Sequence, residues 1–371
     1  MRAFVAAAAV AAASTGGAVA GGIDRSGQGL GNLFESGRQI ELSFGHVMPK
    51  VSGRDVAAQP TGDVATDYWQ LGLSYKYDIN DRISFAFIID QPFGADVVYA
   101  PTSPVLGNTR AVAKSTAMTG ILRYKMENGF SVHGGIRAQR ASAQIDLRGG
   151  AYAGLNGYSV TLANDFAPGY LVGVAYERPD IALRVALTYN SEIKHSFATT
   201  ETLNDAPIAP ITQTDVRTPQ SVNLDFQSGV APGTLVFGQI RWVEWSKFKL
   251  SPAGFVGATV PGNSLINLDD TITYTLGVGR RFNETWAGSF SMQYEKKGNP
   301  LVSPLAPTNG RLGATLAAVY TQGNMKVTTG LNYTKVGNAQ PYTGAQVPAN
   351  ARATMSGNKS VGIGVRVAFT F

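Results

Sequence analysis

The chain contains no cysteine, so neither a disulfide framework nor a thiolate metal or redox centre is available to it. It has 3 histidines, His46, His133 and His195. No two share the spacing of a metal site, which leaves them as structural or surface groups. No stretch approaches the roughly 18 consecutive apolar residues of a membrane-crossing helix. Charge is sparse too: 15% of residues are charged, 31 basic against 25 acidic, and no basic run of the kind that tracks nucleic acid is present. Nothing marks a nucleophile with a partnered base. Residues 27–31, Gly-Gln-Gly-Leu-Gly, lack the Lys-Ser/Thr and the strand-to-helix setting of a phosphate loop. These absences point away from catalysis, and no cofactor, metal or nucleic-acid partner is expected.

What is present is alternation. At the carboxy terminus Val361, Ile363, Val365, Val367, Phe369 and Phe371 fall on one face of a strand, with Gly362, Gly364, Arg366 and Thr370 on the other. One side is apolar and the other polar. A closing strand that ends on an aromatic residue resembles the assembly signal of bacterial outer-membrane barrels, which implies the barrel assembly machinery as a partner. At the other end Arg2, the apolar run 3–13 and Ala18-Val19-Ala20 read as a secretory signal over residues 1–20.

The same period recurs along the chain. Trp69, Leu71, Leu73, Tyr75 and Tyr77 oppose Gln70, Gly72, Ser74 and Lys76; Leu183, Val185, Leu187 and Tyr189 oppose Arg184, Ala186, Thr188 and Asn190. Strands are expected at 39–49, 66–77, 82–99, 109–126, 130–148, 166–177, 181–195, 220–230, 234–248, 270–281, 286–297, 310–320, 325–336 and 358–371. Their connections alternate in length: turns such as Glu127-Asn128-Gly129 and Ala231-Pro232-Gly233 alternate with long segments such as 149–165 and 196–219. Short periplasmic turns and long outer loops are the signature of an outer-membrane barrel. The expected fold is all-β, a 14-stranded antiparallel transmembrane β-barrel over residues 39–371, multi-pass in the bacterial outer membrane and monomeric. Tyr75, Tyr124 and Trp286 near the turns, and Trp69, Tyr294 and Tyr333 near the loops, are candidates for interface girdles that meet membrane lipid and lipopolysaccharide.

Residues 21–38 carry no strand alternation. A segment that enters from the periplasmic side can fold into the lumen. Ser26-Gly27-Gln28-Gly29-Leu30-Gly31, followed by Glu41-Leu42-Ser43-Phe44-Gly45-His46-Val47, resembles the hatch and first strand of the FadL/TodX family of long-chain fatty acid and hydrocarbon transporters. Residues 91–96, Gln-Pro-Phe-Gly-Ala-Asp, and 242–248, Trp-Val-Glu-Trp-Ser-Lys-Phe, add to the similarity. The family's Asn-Pro-Ala tripeptide is absent, and residues 32–38 stand in its place. The resemblance implies passive, hatch-gated uptake of long-chain fatty acids or similar hydrophobic compounds, with release through a gap in the wall at a kinked third strand. Pro92 and Gly94 lie where that strand should break, beside Phe93, because proline donates no ladder bond and glycine permits a bulge. The same residues would equally end an ordinary strand.

Laid out from the Glu127-Asn128-Gly129 turn, Arg123 stands opposite His133, with Arg137 on the same inward face. These three could receive a substrate carboxylate while the hatch residues Leu30, Leu33 and Phe34 hold an apolar tail. They could equally face hatch carboxylates or simply occupy the polar side. Two other readings stay open: an aromatic hydrocarbon uptake channel, and a structural or adhesive outer-membrane protein with a plugged lumen.

Overall fold

The computed structural model describes residues 23–259 and 263–371. The expected signal segment and residues 21 and 22 lie outside these. Fourteen strands form the wall: β1 (Gln39–Lys50), β2 (Tyr68–Asp78), β3 in two halves (Ile83–Asp90 and Gly94–Val98), β4 (Arg110–Lys125), β5 (Phe130–Asp146) and β6 (Tyr158–Arg178) lead. They are followed by β7 (Leu183–Asn190 and Ile193–Leu203), β8 (Thr212–Thr218 and Ser221–Ala231), β9 (Thr234–Val243) and β10 (Thr271–Arg281). β11 (Trp286–Glu295), β12 (Arg311–Gln322), β13 (Met325–Val336) and β14 (Lys359–Thr370) complete the wall. Each strand runs antiparallel to the next. β1 pairs with β14 from Gln39↔Thr370 to Lys50↔Lys359, which closes the barrel. Closure gives backbone N–H and C=O groups ladder partners where lipid offers none.

The period-2 pattern sorts side chains by solvent. Phe44, Leu71, Leu122, Ile136, Leu276 and Leu316 are exposed on the outer face, as a lipid-facing surface requires, whereas Ser74, Thr119, Arg123, Asn223 and Ser291 are buried inside. The tight turns use glycine where geometry demands it. Gly129 has φ 84°, and a Cβ there would come within 2.6 Å of the Glu177 carbonyl oxygen.

At the loop end the structure departs from the expected boundaries. β6, β7 and β8 run well beyond them, so much of 149–165 and 196–219 is strand; Ile193–Leu203 pairs with Thr212–Thr218 and, at its tip, with residues 158–162 of β6. These extensions carry polar residues on the face that would otherwise meet lipid, such as Thr161, Ser196 and Thr200. The apolar alternation that marks a membrane-crossing strand is therefore missing from them. β9 is shorter than expected and ends at Val243, because Trp245 turns inward and is 1% exposed. A small sheet of Ser52–Asp55, Pro60–Asp63 and Ala353–Met355 stands outside the barrel ladder. Outer loops and strand ends share an apolar cluster that includes Leu147, Tyr158, Phe197, Phe255 and Leu305. Residues 303–310 are buried throughout, and the Tyr99 hydroxyl donates to the Pro304 carbonyl (2.9 Å). Among the described residues no helix is long and apolar enough to cross a membrane.

Candidate functional site

Among the described residues the ladder of the wall is interrupted at two seams: β6–β7, unpaired between Leu171↔Asn190 and Leu162↔Thr199, and β2–β3, which is the one the N-terminal segment meets. β2 and β3 pair from Asp78↔Ser84 to Leu73↔Ile89, and pairing resumes only at Ala65↔Val97, with the register unchanged. Between these points no backbone ladder joins the two strands; the Leu71 N–H donates instead to the side chain of Gln91 (3.2 Å). The cause is local. Pro92 has no N–H to give, and the Phe93 N–H donates to Ser115 Oγ (2.9 Å), whose hydroxyl bonds back to the Phe93 carbonyl (2.7 Å). Phe93 is drawn inside, 4% exposed, with its ring edge-on to Trp245 at 5.4 Å.

The N-terminal segment takes up the hydrogen bonds that β3 forgoes. Gly94 N–H donates to the Ile23 carbonyl and Arg25 N–H to the Pro92 carbonyl, both at 2.8 Å. From there the segment crosses the lumen. Asp24 accepts from Arg241 on β9 through Nε (2.7 Å) and a terminal nitrogen (3.1 Å), and Arg241 also reaches Asn223 (2.8 Å) and Gln28 (3.2 Å). Ser26 Oγ donates to Asp90 (2.5 Å), and Asn32 donates to Ser74 (2.7 Å).

Leu30 and Leu33, 6% and 0% exposed, pack on the inward-facing Ala86, Ile121 and Leu171. Phe34 then meets a basic wall, with the Arg123 and Arg184 guanidinium carbons 4.5 and 4.8 Å from its ring centre and His133 edge-on at 5.9 Å.

The expected basic group is therefore assembled beneath this segment. Arg123 faces His133 and Arg137 faces Thr119 across the β4–β5 ladder. Arg123 pairs with Glu177 and donates to Ser131 (3.0 Å), Arg137 donates to Thr119 (2.9 Å), and His133 Nε2 is bonded to Thr188 Oγ1 (2.9 Å). Two cavities flank the segment. The larger, about 340 Å³, has mixed walls: Asp225, Arg241, Gln293 and Arg366 are among the polar groups, and Leu30 and Phe34 border it on the apolar side. Arg123, His133, Arg137, Leu33 and the kink residues 92–94 line neither cavity. The smaller, about 30 Å³, is mainly apolar and lies between the segment, the seam and the buried outer loop, with Ile23, Tyr68, Val97 and Leu305 in its wall.

Sequence reasoning passed over Asp24, Arg25 and Tyr68. An adjacent acid and base, Asp24 and Arg25, at the start of a glycine-rich segment expected to lie in a lumen were the available signal. The remaining histidines have protein partners, His195 with Asp165 (2.9 Å) and His46 stacked on Trp69 at 4.4 Å. Among the described residues no group of side chains could hold a metal ion.

The family described as outer membrane protein transport protein (OMPP1/FadL/TodX) matches residues 35–371. The chain belongs to that family. As an OMPP1/FadL/TodX protein it is a β-barrel of the bacterial outer membrane that transports hydrophobic compounds. The match begins at Glu35, so residues 23–34 lie ahead of it. Its fold is similar to that of a Pseudomonas aeruginosa FadL homologue (17% identity, TM-score 0.75, covering 97% of this chain and 98% of that one). It is also similar to the Ralstonia pickettii toluene transporter TbuX (14%, 0.63, 91% and 90%) and the P. putida toluene transporter TodX (12%, 0.62, 91% and 91%). Among curated proteins the chain has no match.

Proposed function

We propose that the protein carries long-chain fatty acids or similar amphiphiles across the outer membrane by a passive, gated route whose exit is the β2–β3 seam. Residues 23–38 are the hatch in this reading. The observation that carries it is the unpaired stretch of wall held against the hatch backbone at Pro92 and Gly94. An opening at the seam lets an apolar molecule pass sideways into lipid without crossing the polar lumen.

Magnitudes support a gate over an open pore. Each buried methylene contributes about 0.8 kcal/mol, so a sixteen-carbon tail gains roughly 10 kcal/mol in an apolar pocket and leaves it slowly unless the pocket is disrupted. The apolar cavity of about 30 Å³ has room for little more than one water. A tail therefore enters only when the hatch or the loop carrying Leu305 shifts. Leu30, Leu33 and Phe34 keep the hatch seated, Arg123, His133 and Arg137 form its basic seat, and Pro92, Phe93 and Gly94 form the kink it closes.

A second reading, uptake of aromatic hydrocarbons, is favoured by the likeness to the toluene transporters TbuX and TodX. The test is uptake of isotope-labelled oleate and of toluene by cells that lack transporters of their own and express this chain. Oleate uptake above the empty-vector control is the expected result. Toluene uptake alone supports the second reading, and neither overturns both.

A further inference from the structure

Arg25 occupies the seam itself. Its guanidinium lies 4.0 Å from the ring centre of Tyr68, on the β2 side. On the β3 side it fills the space that Gly94 leaves by having no side chain, since a Cβ there would come within 2.6 Å of it. It borders both cavities, so it stands where the apolar pocket meets the polar lumen.

Its hydrogen-bonding capacity is unspent. Among the described residues the guanidinium makes no hydrogen bond and no ion pair, and its Nε is buried without a partner. Of the neighbouring acids, Asp24 is held by Arg241, and Asp96, whose charge reaches Arg25, accepts from Thr66 Oγ1 (3.1 Å). Asp96 borders the same small cavity without pairing with Arg25.

We propose that Arg25 is a carboxylate-binding residue that doubles as the bolt of the lateral opening, so that an amphiphile with an anionic head withdraws the bolt as it binds. A guanidinium held by a ring face and by the charge of Asp96, with no hydrogen bond to either, gains more from a carboxylate that accepts two parallel charge-assisted hydrogen bonds in a fixed plane. The apolar pocket beside it takes the first part of the tail. Pairing draws the cation away from Tyr68 and Gly94, and the seam is left without the group that fills it. A neutral molecule of the same length has no such differential contact and cannot shift the equilibrium in this way. The inference rests on the lateral-exit reading and adds to it the residue that recognises the anionic head and couples its binding to the opening.

The chain has no cysteine of its own, so labels can be placed at will. Two measurements on the full chain in lipid nanodiscs test the proposal: affinities for palmitate and hexadecanol in wild type, Arg25→Lys and Arg25→Met, and the distance between spin labels at Leu71→Cys and Gln91→Cys. The ratio of palmitate to hexadecanol affinity should fall about tenfold or more in Arg25→Met, with Arg25→Lys between the two. Palmitate should widen the label distance in wild type and hexadecanol should not, while Arg25→Met should be wide without ligand. Equal losses for both ligands, or a distance that palmitate does not change, would overturn the role of Arg25 and leave the transport reading standing. If wild type binds neither ligand, both fail. Retention of the heat-modifiable barrel band in each variant separates these outcomes from misfolding.

Discussion

Replacing Arg241 with Met should release the hatch while leaving the barrel intact. Arg241 is 3% exposed and its side chain donates to Asp24, Gln28, Ser221 and Asn223, so one residue of β9 gathers two points of the hatch and two of β8. Methionine keeps the apolar length of the stem and removes every donor. Asp24 would then be left without its cation in a partly enclosed lumen. Removing one partner of a buried pair costs about 3–5 kcal/mol; Asp24 is 16% exposed and borders the larger cavity, which sets the loss at the lower end, about 3 kcal/mol. At about 1.4 kcal/mol per tenfold, the docked-to-undocked ratio of the hatch falls by roughly two orders of magnitude. Hydrogen–deuterium exchange reads this directly. Amides of residues 23–36 should lose protection by that factor, while those of β10 to β14 stay unchanged because their ladders do not involve the hatch. Adding Asp24→Asn should recover part of the loss, since no uncompensated charge then remains. Unchanged exchange over residues 23–36, or a loss spread evenly over the barrel, would refute the assignment of Arg241 as the hatch anchor.

Three further outcomes are expected. Phe34→Ala removes a ring flanked by Arg123 and Arg184 and should loosen the hatch by about 1–2 kcal/mol, seen as faster exchange confined to residues near 34. Gly94→Ala places a methyl where the Arg25 guanidinium lies; the flexible arginine yields, so the melting temperature should change little while uptake of a neutral long-chain alcohol rises. Glu201, 1% exposed, accepts from Tyr158 Oη (2.6 Å), Gly254 N–H (2.8 Å) and Phe255 N–H (2.9 Å). Glu201→Gln puts an amide donor against one of these donors, costs about 1–3 kcal/mol, and should expose residues 253–258 to protease.

The membrane-crossing part of the wall was legible because lipid and lumen impose opposite chemistry on alternate residues; Leu71 against Ser74 and Leu122 against Arg123 follow from period alone. The outer extensions of β6, β7 and β8 were not, since beyond the bilayer Thr161, Ser196 and Thr200 have no lipid to face. Trp245 misled in the opposite sense: an apolar residue read as part of a strand is a turn residue buried against Phe93. A kink at Pro92 and Gly94 was an expectation of the family resemblance, while proline's missing donor and glycine's freedom fitted an ordinary strand end equally well. The filling of the kink by Arg25 was not legible, because that contact joins residues far apart in sequence through a space defined by an absent side chain.

The seam is where the account is most directly tested. Leu71→Cys and Gln91→Cys, bridged by a short bismaleimide, would tie β2 to β3 across the unpaired stretch in a chain with no competing thiol. Labelled oleate uptake should fall to the empty-vector level on cross-linking, and the uncross-linked double variant should transport like wild type. Undiminished uptake through a fully cross-linked seam would mean that substrate leaves by another path, and would contradict the lateral route.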